Sequence, residues 1–184
     1  MRAALAALLV AGCASLPPPE ADRERVGDFA VEARFALRTL RPGETVQQAS
    51  GHLSWSHDRE ADRILLASPF GQGLAEIVID STGARLRTSD GSLRQAADAD
   101  ALLAEATGYR LPLGELPAWL LGRGGPTSQI DRDFAGRPRL IKENAWQIEY
   151  GYDDDRPTSL PTRLTVTRDS ELDLRLRIEE WRIP

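Results

Sequence analysis

The side chains able to do chemistry are few, and their spacing argues against most of it. The chain has two histidines, His52 and His57, and one cysteine, Cys13. Histidines five apart fall on opposite faces of a regular strand, a poor metal pair unless a turn near residues 56–58 reorients one. No Gly-x-Ser-x-Gly occurs, and no Ser-His-Asp set is suggested by spacing. Asp153, Asp154 and Asp155 precede Arg156 and Pro157, but the glycine and distal glutamate of an EF-hand calcium loop are missing, so they read as a solvated turn. Gly122-Arg123-Gly124-Gly125 is glycine-rich, yet the sole lysine, Lys142, does not stand behind it as a phosphate-binding loop requires. Whatever the protein does is expected to run without ATP, metal or cofactor, and binding is the better expectation than catalysis. The formal charge of −5 argues against wrapping a nucleic acid.

Cys13 has no partner for a disulfide, and its surroundings suggest another use. Arg2 is followed by an apolar run over residues 3–10 and by the small pair Ala11-Gly12, the layout of a cleavable export signal. The run is about half of the ~20 residues needed to span a bilayer. Val10-Ala11-Gly12-Cys13 resembles the lipobox of bacterial lipoprotein precursors, which implies diacylglycerol on the thiol, cleavage before Cys13 and acylation of its new amine. Ala14 and Ser15 follow, where an aspartate would imply retention in the inner membrane, so the resemblance implies outer-membrane sorting. Residues 1–12 therefore read as a signal peptide and 13–28, with Pro17, Pro18 and Pro19, as a lipid-anchored extended linker.

Residues 29–184 have the size of one domain. Phe29, Val31, Ala33, Phe35 and Leu37 alternate with polar positions, the pattern of a strand with one buried face. Similar segments recur near 47–56, 63–68, 74–80, 84–89, 128–134, 138–143, 145–151, 162–168 and 172–182. Many short strands with one apolar face indicate an antiparallel sheet curved into a barrel or a sandwich. Two stretches break the pattern. Residues 98–107 place Leu102, Leu103 and Ala106 at helical spacing, with Asp98 or Asp100 as N-cap and Gly108 as the stop. Residues 113–121 form a second short apolar turn, in which Pro117 fits only near the helix start. Such helices either cover an opening as a lid or plug a closed core.

Ser68-Pro69-Phe70-Gly71-Gln72-Gly73 carries no chemistry but an awkward ring. Pro69 must end the preceding strand, and Gly71 and Gly73 are turn residues, so Phe70 stands at the tip of a connection. It is either folded back over the core or presented outward to a partner or membrane.

Taken in order along the chain, the lipobox ending at Cys13, Gly51-His52-Leu53-Ser54-Trp55, Ser68-Pro69-Phe70-Gly71, Leu102-Leu103 before Gly108, Leu111-Pro112-Leu113, Trp119-Leu120-Leu121-Gly122, Trp146-Gln147-Ile148-Glu149-Tyr150, Leu160-Pro161 and the closing strand with Trp181 resemble the LolB family of outer-membrane lipoprotein receptors. Ala33, Ala145 and Phe70 depart from the glycine, glycine and leucine expected there. The resemblance implies a mainly β (α+β) fold, a single antiparallel sheet curved into an incomplete β-barrel with a short-helix lid over an apolar cavity. It implies a monomer that accepts lipoproteins from the periplasmic carrier LolA, holds their acyl chains and inserts them into the lipids of the outer membrane. Phe70, flanked by Pro69 and Gly71, becomes the membrane-delivery tip. Strand parity puts Phe35, Trp55, Leu66, Ile77, Trp146, Ile148, Leu164, Leu174, Leu176 and Ile178 on the cavity face, beneath Leu103, Leu116 and Trp119. The alternative is an anchored interaction or assembly lipoprotein with a packed β domain and no lipid cargo.

Overall fold

The computed structural model describes residues 23–40, 45–107, 111–169 and 171–184, so Cys13 and Gly108 lie outside the described residues. Eleven strands form one antiparallel sheet: β1 (Phe29–Thr39), β2 (Gln47–His57), β3 (Ala61–Ala67), β4 (Gly73–Asp80), β5 (Gly83–Thr88), β6 (Leu93–Ala96), β7 (Gln129–Arg132), β8 (Pro138–Glu143), β9 (Trp146–Gly151), β10 (Arg163–Arg168) and β11 (Leu172–Arg182). Their order is β6-β5-β4-β3-β2-β1-β11-β10-β9-β8-β7, so the chain's first and last strands pair at the centre and β6 and β7 form edges that do not meet. Ten strands match alternating segments of the sequence. The eleventh, β6, has no alternation to reveal it: Leu93, Arg94 and Gln95 are all exposed on a four-residue edge strand.

Alternation sets the inward face. In β11, Leu172, Leu174, Leu176 and Ile178 are buried while Arg175 and Arg177 are exposed. A bulge opposite Glu32 and Ala33 then shifts the register, so odd-numbered Trp181 pairs with buried Val31. Inward residues from β4 to β9 join one core, which requires the sheet to curl on itself. The helices α1 (Ala99–Thr107) and α2 (Leu116–Leu120) lie in the connection from β6 to β7 and so bridge the two open edges. Among the described residues no helix is long and apolar enough to cross a membrane.

The approach of β2 to the end of β3 has no room for a side chain at Gly51. A Cβ there would stand 1.9 Å from the Ala67 carbonyl oxygen and 3.2 Å from the Phe35 ring. The β3–β4 pairing shifts register between Leu66 and Ala67, at the root of the Phe70 hairpin.

Residues 23–28, read from sequence as the end of a free linker, are held against the fold. Val26 is buried, and the Arg23 guanidinium is buried with it. Arg23 donates to the Pro157 carbonyl at 2.8 Å and to the Tyr152 hydroxyl at 3.4 Å, while Arg123 donates to the Val26 and Arg23 carbonyls. Arg137, also buried, lies 4.1 Å above the Tyr152 ring and pairs with Asp133 at 2.8 Å. Burial pushes the Tyr152 phenol up to about 12, against the pull of Arg23 and Arg137. At Asp133 burial acts upward, but the hydrogen bonds and charge of Arg137 outweigh it and hold the carboxyl below its ordinary value.

Two outcomes follow. Gly51→Ala is expected to cost about 1–3 kcal/mol in urea unfolding, the range for overpacked sites. Because Asp133 ionises at lower pH folded than unfolded, its stabilisation is complete above about pH 4 and is lost as pH falls below that. Asp133→Asn should therefore lower the urea midpoint at pH 7 and narrow the gap from wild type at pH 3; an undiminished gap at pH 3 contradicts the assignment.

Candidate functional site

The positions assigned to the cavity face come together. Trp55, Ile77, Leu103, Leu116, Trp119, Trp146, Ile148, Leu164, Leu174, Leu176 and Ile178 are all buried in one cluster, and half-buried Phe35 and Leu66 pack against it. Sheet and helices contribute to the same cluster, so the concave face is shut from water by α1 and α2.

Each helix is built to sit there. Asp98 caps α1 by accepting the Ala101 amide at 2.6 Å, and Ala99, Leu102 and Leu103 turn one face inward. Asp100, the other candidate cap, accepts the Leu113 amide at 3.0 Å and ties α1 to the approach of α2. In α2, Pro117 sits in the first turn, where its missing N–H costs nothing. Gly122 at φ +72° ends the helix in a Schellman motif: Arg123 N donates to Ala118 O and Gly122 N to Trp119 O, both at 2.9 Å.

Two polar ties fasten α2 down, and sequence reasoning missed both. Trp119 Nε1 donates to Glu143 at 3.1 Å, as does the Gly125 amide, and Tyr150 Oη donates to the Trp119 carbonyl at 2.9 Å. Glu143 is buried, and burial drives the Tyr150 phenol far above its ordinary value. The signal for Glu143 was present: it lies two residues after inward Ile141 and opposite Trp146, a carboxylate on an apolar parity. Trp119 and Trp146 meet beside it in a tilted pair, with ring centroids 5.8 Å apart.

Phe70 is presented outward, with 98 % of its surface accessible. Its turn is well determined. Gly71 N donates to Ser68 O at 2.9 Å, Ser68 N to Gln72 O at 2.7 Å, and Ser68 Oγ accepts the Phe70 and Gln72 amides. Pro69 presets the bend, and Gly71 at φ +83° takes a left-handed conformation that other residues resist. Leu65, Leu74 and Leu93 are also exposed on the outer face of the same sheet region. An open groove of about 390 Å³ lined by Leu65, Ala67, Leu74, Glu76 and Arg87 flanks the hairpin base. A second, of about 420 Å³, lies between Arg34, Phe35, Ser50, His52 and Pro69.

His57, Asp153 and Asp154, considered first for chemistry, have structural partners. His57 Nδ1 and Trp55 Nε1 share Asp62 Oδ1 at 2.7 and 2.8 Å, and Phe29 lies 5.0 Å from the His57 ring. Asp153 pairs with Arg163 and Arg177, and Asp154 with Arg156 and Ser159, whose hydrogen bonds pull its carboxyl far down.

The family described as "Outer membrane lipoprotein LolB" matches residues 27–181. The chain belongs to the LolB family of outer-membrane lipoproteins. It is 49 % identical over 175 residues to the outer-membrane lipoprotein LolB of Dechloromonas aromatica (strain RCB), covering 95 % of this chain and 92 % of that one. To the LolB of Azoarcus sp. (strain BH72) it is 35 % identical over 184 residues, covering 98 % and 93 %. Among solved structures, a LolA superfamily protein from Nitrosomonas europaea superposes with a TM-score of 0.51 at 13 % identity, covering 89 % of this chain and 90 % of that one, and so shares the fold.

Replacing Glu143 by Leu leaves the Trp119 and Gly125 N–H groups unpaired in the core, at about 1–3 kcal/mol each. Denaturant unfolding should show that loss, and Glu143→Gln, which keeps an acceptor, should recover much of it.

Proposed function

We propose that the protein is the outer-membrane acceptor of lipoproteins: it takes their acyl chains from the periplasmic carrier LolA and inserts them into the bilayer, acting as a monomer without ATP or covalent chemistry. On this reading residues 1–12 are removed as a signal peptide. Acylated Cys13 anchors the chain, a spacer follows, and the half-barrel domain binds cargo. Membership of the LolB family supports it. The observation that carries it is the outward Phe70 ring on a hydrogen-bonded turn beside a sheet whose apolar face is covered by two short helices and the chain around them.

Acyl chains reach the inward face only when the helices move. The energetics favour a loose site. Three chains of ~15 methylenes at ~0.8 kcal/mol each would exceed the practical ceiling of ~20 kcal/mol on non-covalent affinity, so net binding has to be far weaker than gross burial. Prying α1 and α2 off their apolar contacts supplies such a cost. Transfer then runs down differences in affinity, from carrier to this site to bilayer.

The buried apolar cluster under the helices also fits the alternative, an assembly lipoprotein with a packed domain and no lipid cargo. An apolar fluorescent probe or a radiolabelled lipoprotein separates the two. Protein lacking residues 1–13 should accept lipoprotein from loaded LolA, and no transfer under those conditions removes the acceptor reading.

Phe70→Glu tests the tip. Withdrawing a Phe side chain from an apolar phase costs about 1.5–3 kcal/mol, so release into vesicles should slow roughly tenfold or more. Uptake from the carrier should remain near wild type. Unchanged incorporation into vesicles would show that the ring has no part in delivery.

A further inference from the structure

A second aromatic ring stands in water at a hairpin tip, and the acceptor reading does not use it. Phe134, 85 % accessible, occupies the β7–β8 turn. That turn is as well determined as the one under Phe70. Asp133 Oδ1 accepts the Ala135 and Arg137 amides at 2.9 Å each, Gly136 N donates to Asp133 O at 3.0 Å, and Gly136 takes φ +80°. The ring is thus held outward by a turn with its polar groups satisfied.

The turn's position says what it faces. Asp133 is joined to Arg137, Arg137 lies over Tyr152, and Tyr152 meets Arg23, the first described residue. Tyr152 Oη also donates to Pro138 O at 2.8 Å, at the base of the same hairpin. The point where the chain enters the fold and the Phe134 turn therefore belong to one hydrogen-bonded corner. Ten residue steps separate Arg23 from Cys13, a reach of roughly 35 Å at full extension. Whatever bilayer holds the lipid of Cys13 is thereby kept close to Phe134. The Phe70 and Phe134 hairpins leave the sheet by opposite strand ends, because Ala67 and Pro138 lie on one cross-strand row running through His52, Arg34, Arg177, Arg163 and Gly151, from which β3 ends and β8 begins.

We propose that Phe134 is a resting membrane contact: its ring inserts into the bilayer that holds the Cys13 anchor and keeps the tethered end of the domain against it. The proposal rests on lipidation of Cys13. The contact is mainly apolar: Asp133 pairs with Arg137, Asp131 with Arg139 and Asp154 with Arg156, while the Arg132 guanidinium is turned back onto the Gly136 carbonyl at 2.9 Å. One aromatic ring binds a membrane weakly by itself, but a tether of this length raises its effective concentration at the surface. The anchored protein makes the contact and the free domain does not.

The test uses the full lipidated chain in vesicles of phosphatidylethanolamine and phosphatidylglycerol. An environment-sensitive dye is placed on Ala135→Cys, the only free thiol once Cys13 is alkylated. Its emission should shift to the blue and be quenched by shallow spin-labelled lipid. A dye on Gln129→Cys, at the other end of β7, should stay quenchable by aqueous iodide. Adding Phe134→Ser should abolish most of the lipid quenching at position 135, and raising the phosphatidylglycerol fraction should leave it unchanged. If the protein floats with vesicles but position 135 stays open to iodide, the proposal is overturned while the anchor stands. If the protein does not float at all, the anchor reading has failed and the proposal falls with it. Equal shielding in vesicle-free protein lacking residues 1–13 would assign the ring to a second protein copy and overturn the membrane contact.

Discussion

An antiparallel sheet whose edges do not meet leaves its concave apolar face without a partner. That constraint organises the rest of the molecule. Pairing β1 with β11 places the chain's first and last strands at the sheet's centre, which leaves β6 and β7 as its two ends. The connection between them has to cross the opening, and it carries α1 and α2. The cover is therefore continuous with both edges and can lift without breaking the strand ladder. Its inward residues, Leu102, Leu103, Leu116, Trp119 and Leu120, supply the apolar surface that water would otherwise meet.

How much of this was legible in the sequence depends on how each residue shows its environment. Period-2 alternation revealed ten strands and the inward parity of the ten strand positions on the concave face, because a half-buried strand writes burial directly into residue type. It missed β6, a short edge strand whose first three side chains, Leu93, Arg94 and Gln95, are exposed whichever face they occupy. The packing of residues 23–28 on the fold was hidden for a different reason. Arg23 reads as a solvated charge, and only the fold brings Tyr152 and Pro157, well over a hundred residues away, within its reach. The Phe70 turn was legible as a turn from Pro69 and Gly71, whereas the direction of its ring depended on Ser68 holding both sides of the loop. Phe134 escaped because Asp133 and Gly136 mark a common tight turn, and nothing local shows that its ring finds no apolar neighbour.

Among the described residues, the two exposed phenylalanine rings stand in different surroundings. Phe70 projects among Leu65 and Leu74 on the outer face, where a neighbouring groove continues the apolar surface. Phe134 projects from a corner of paired charges, with few apolar neighbours to broaden its contact. The first is shaped for a large, transient apolar contact and the second for a small, persistent one.

On the acceptor reading, the strength of the cover decides whether transfer can run in one direction. Lid side chains and acyl chains are both apolar, so exchanging one for the other over the inward face changes buried apolar area little. What remains is the polar latch. Opening breaks the bonds from Trp119 to Glu143 and from Tyr150 to the Trp119 carbonyl, each worth about 0.5–1.5 kcal/mol net when water replaces the partner, and more where water cannot follow. A latch of this size weakens cargo binding tenfold or somewhat more, because each ~1.4 kcal/mol is a factor of ten. It opposes opening whether or not cargo is present, and so favours reclosure once the bilayer takes the chain. Glu143 belongs in the core for that reason: a lid held by apolar contacts alone would have no term that distinguishes its own side chains from the cargo's.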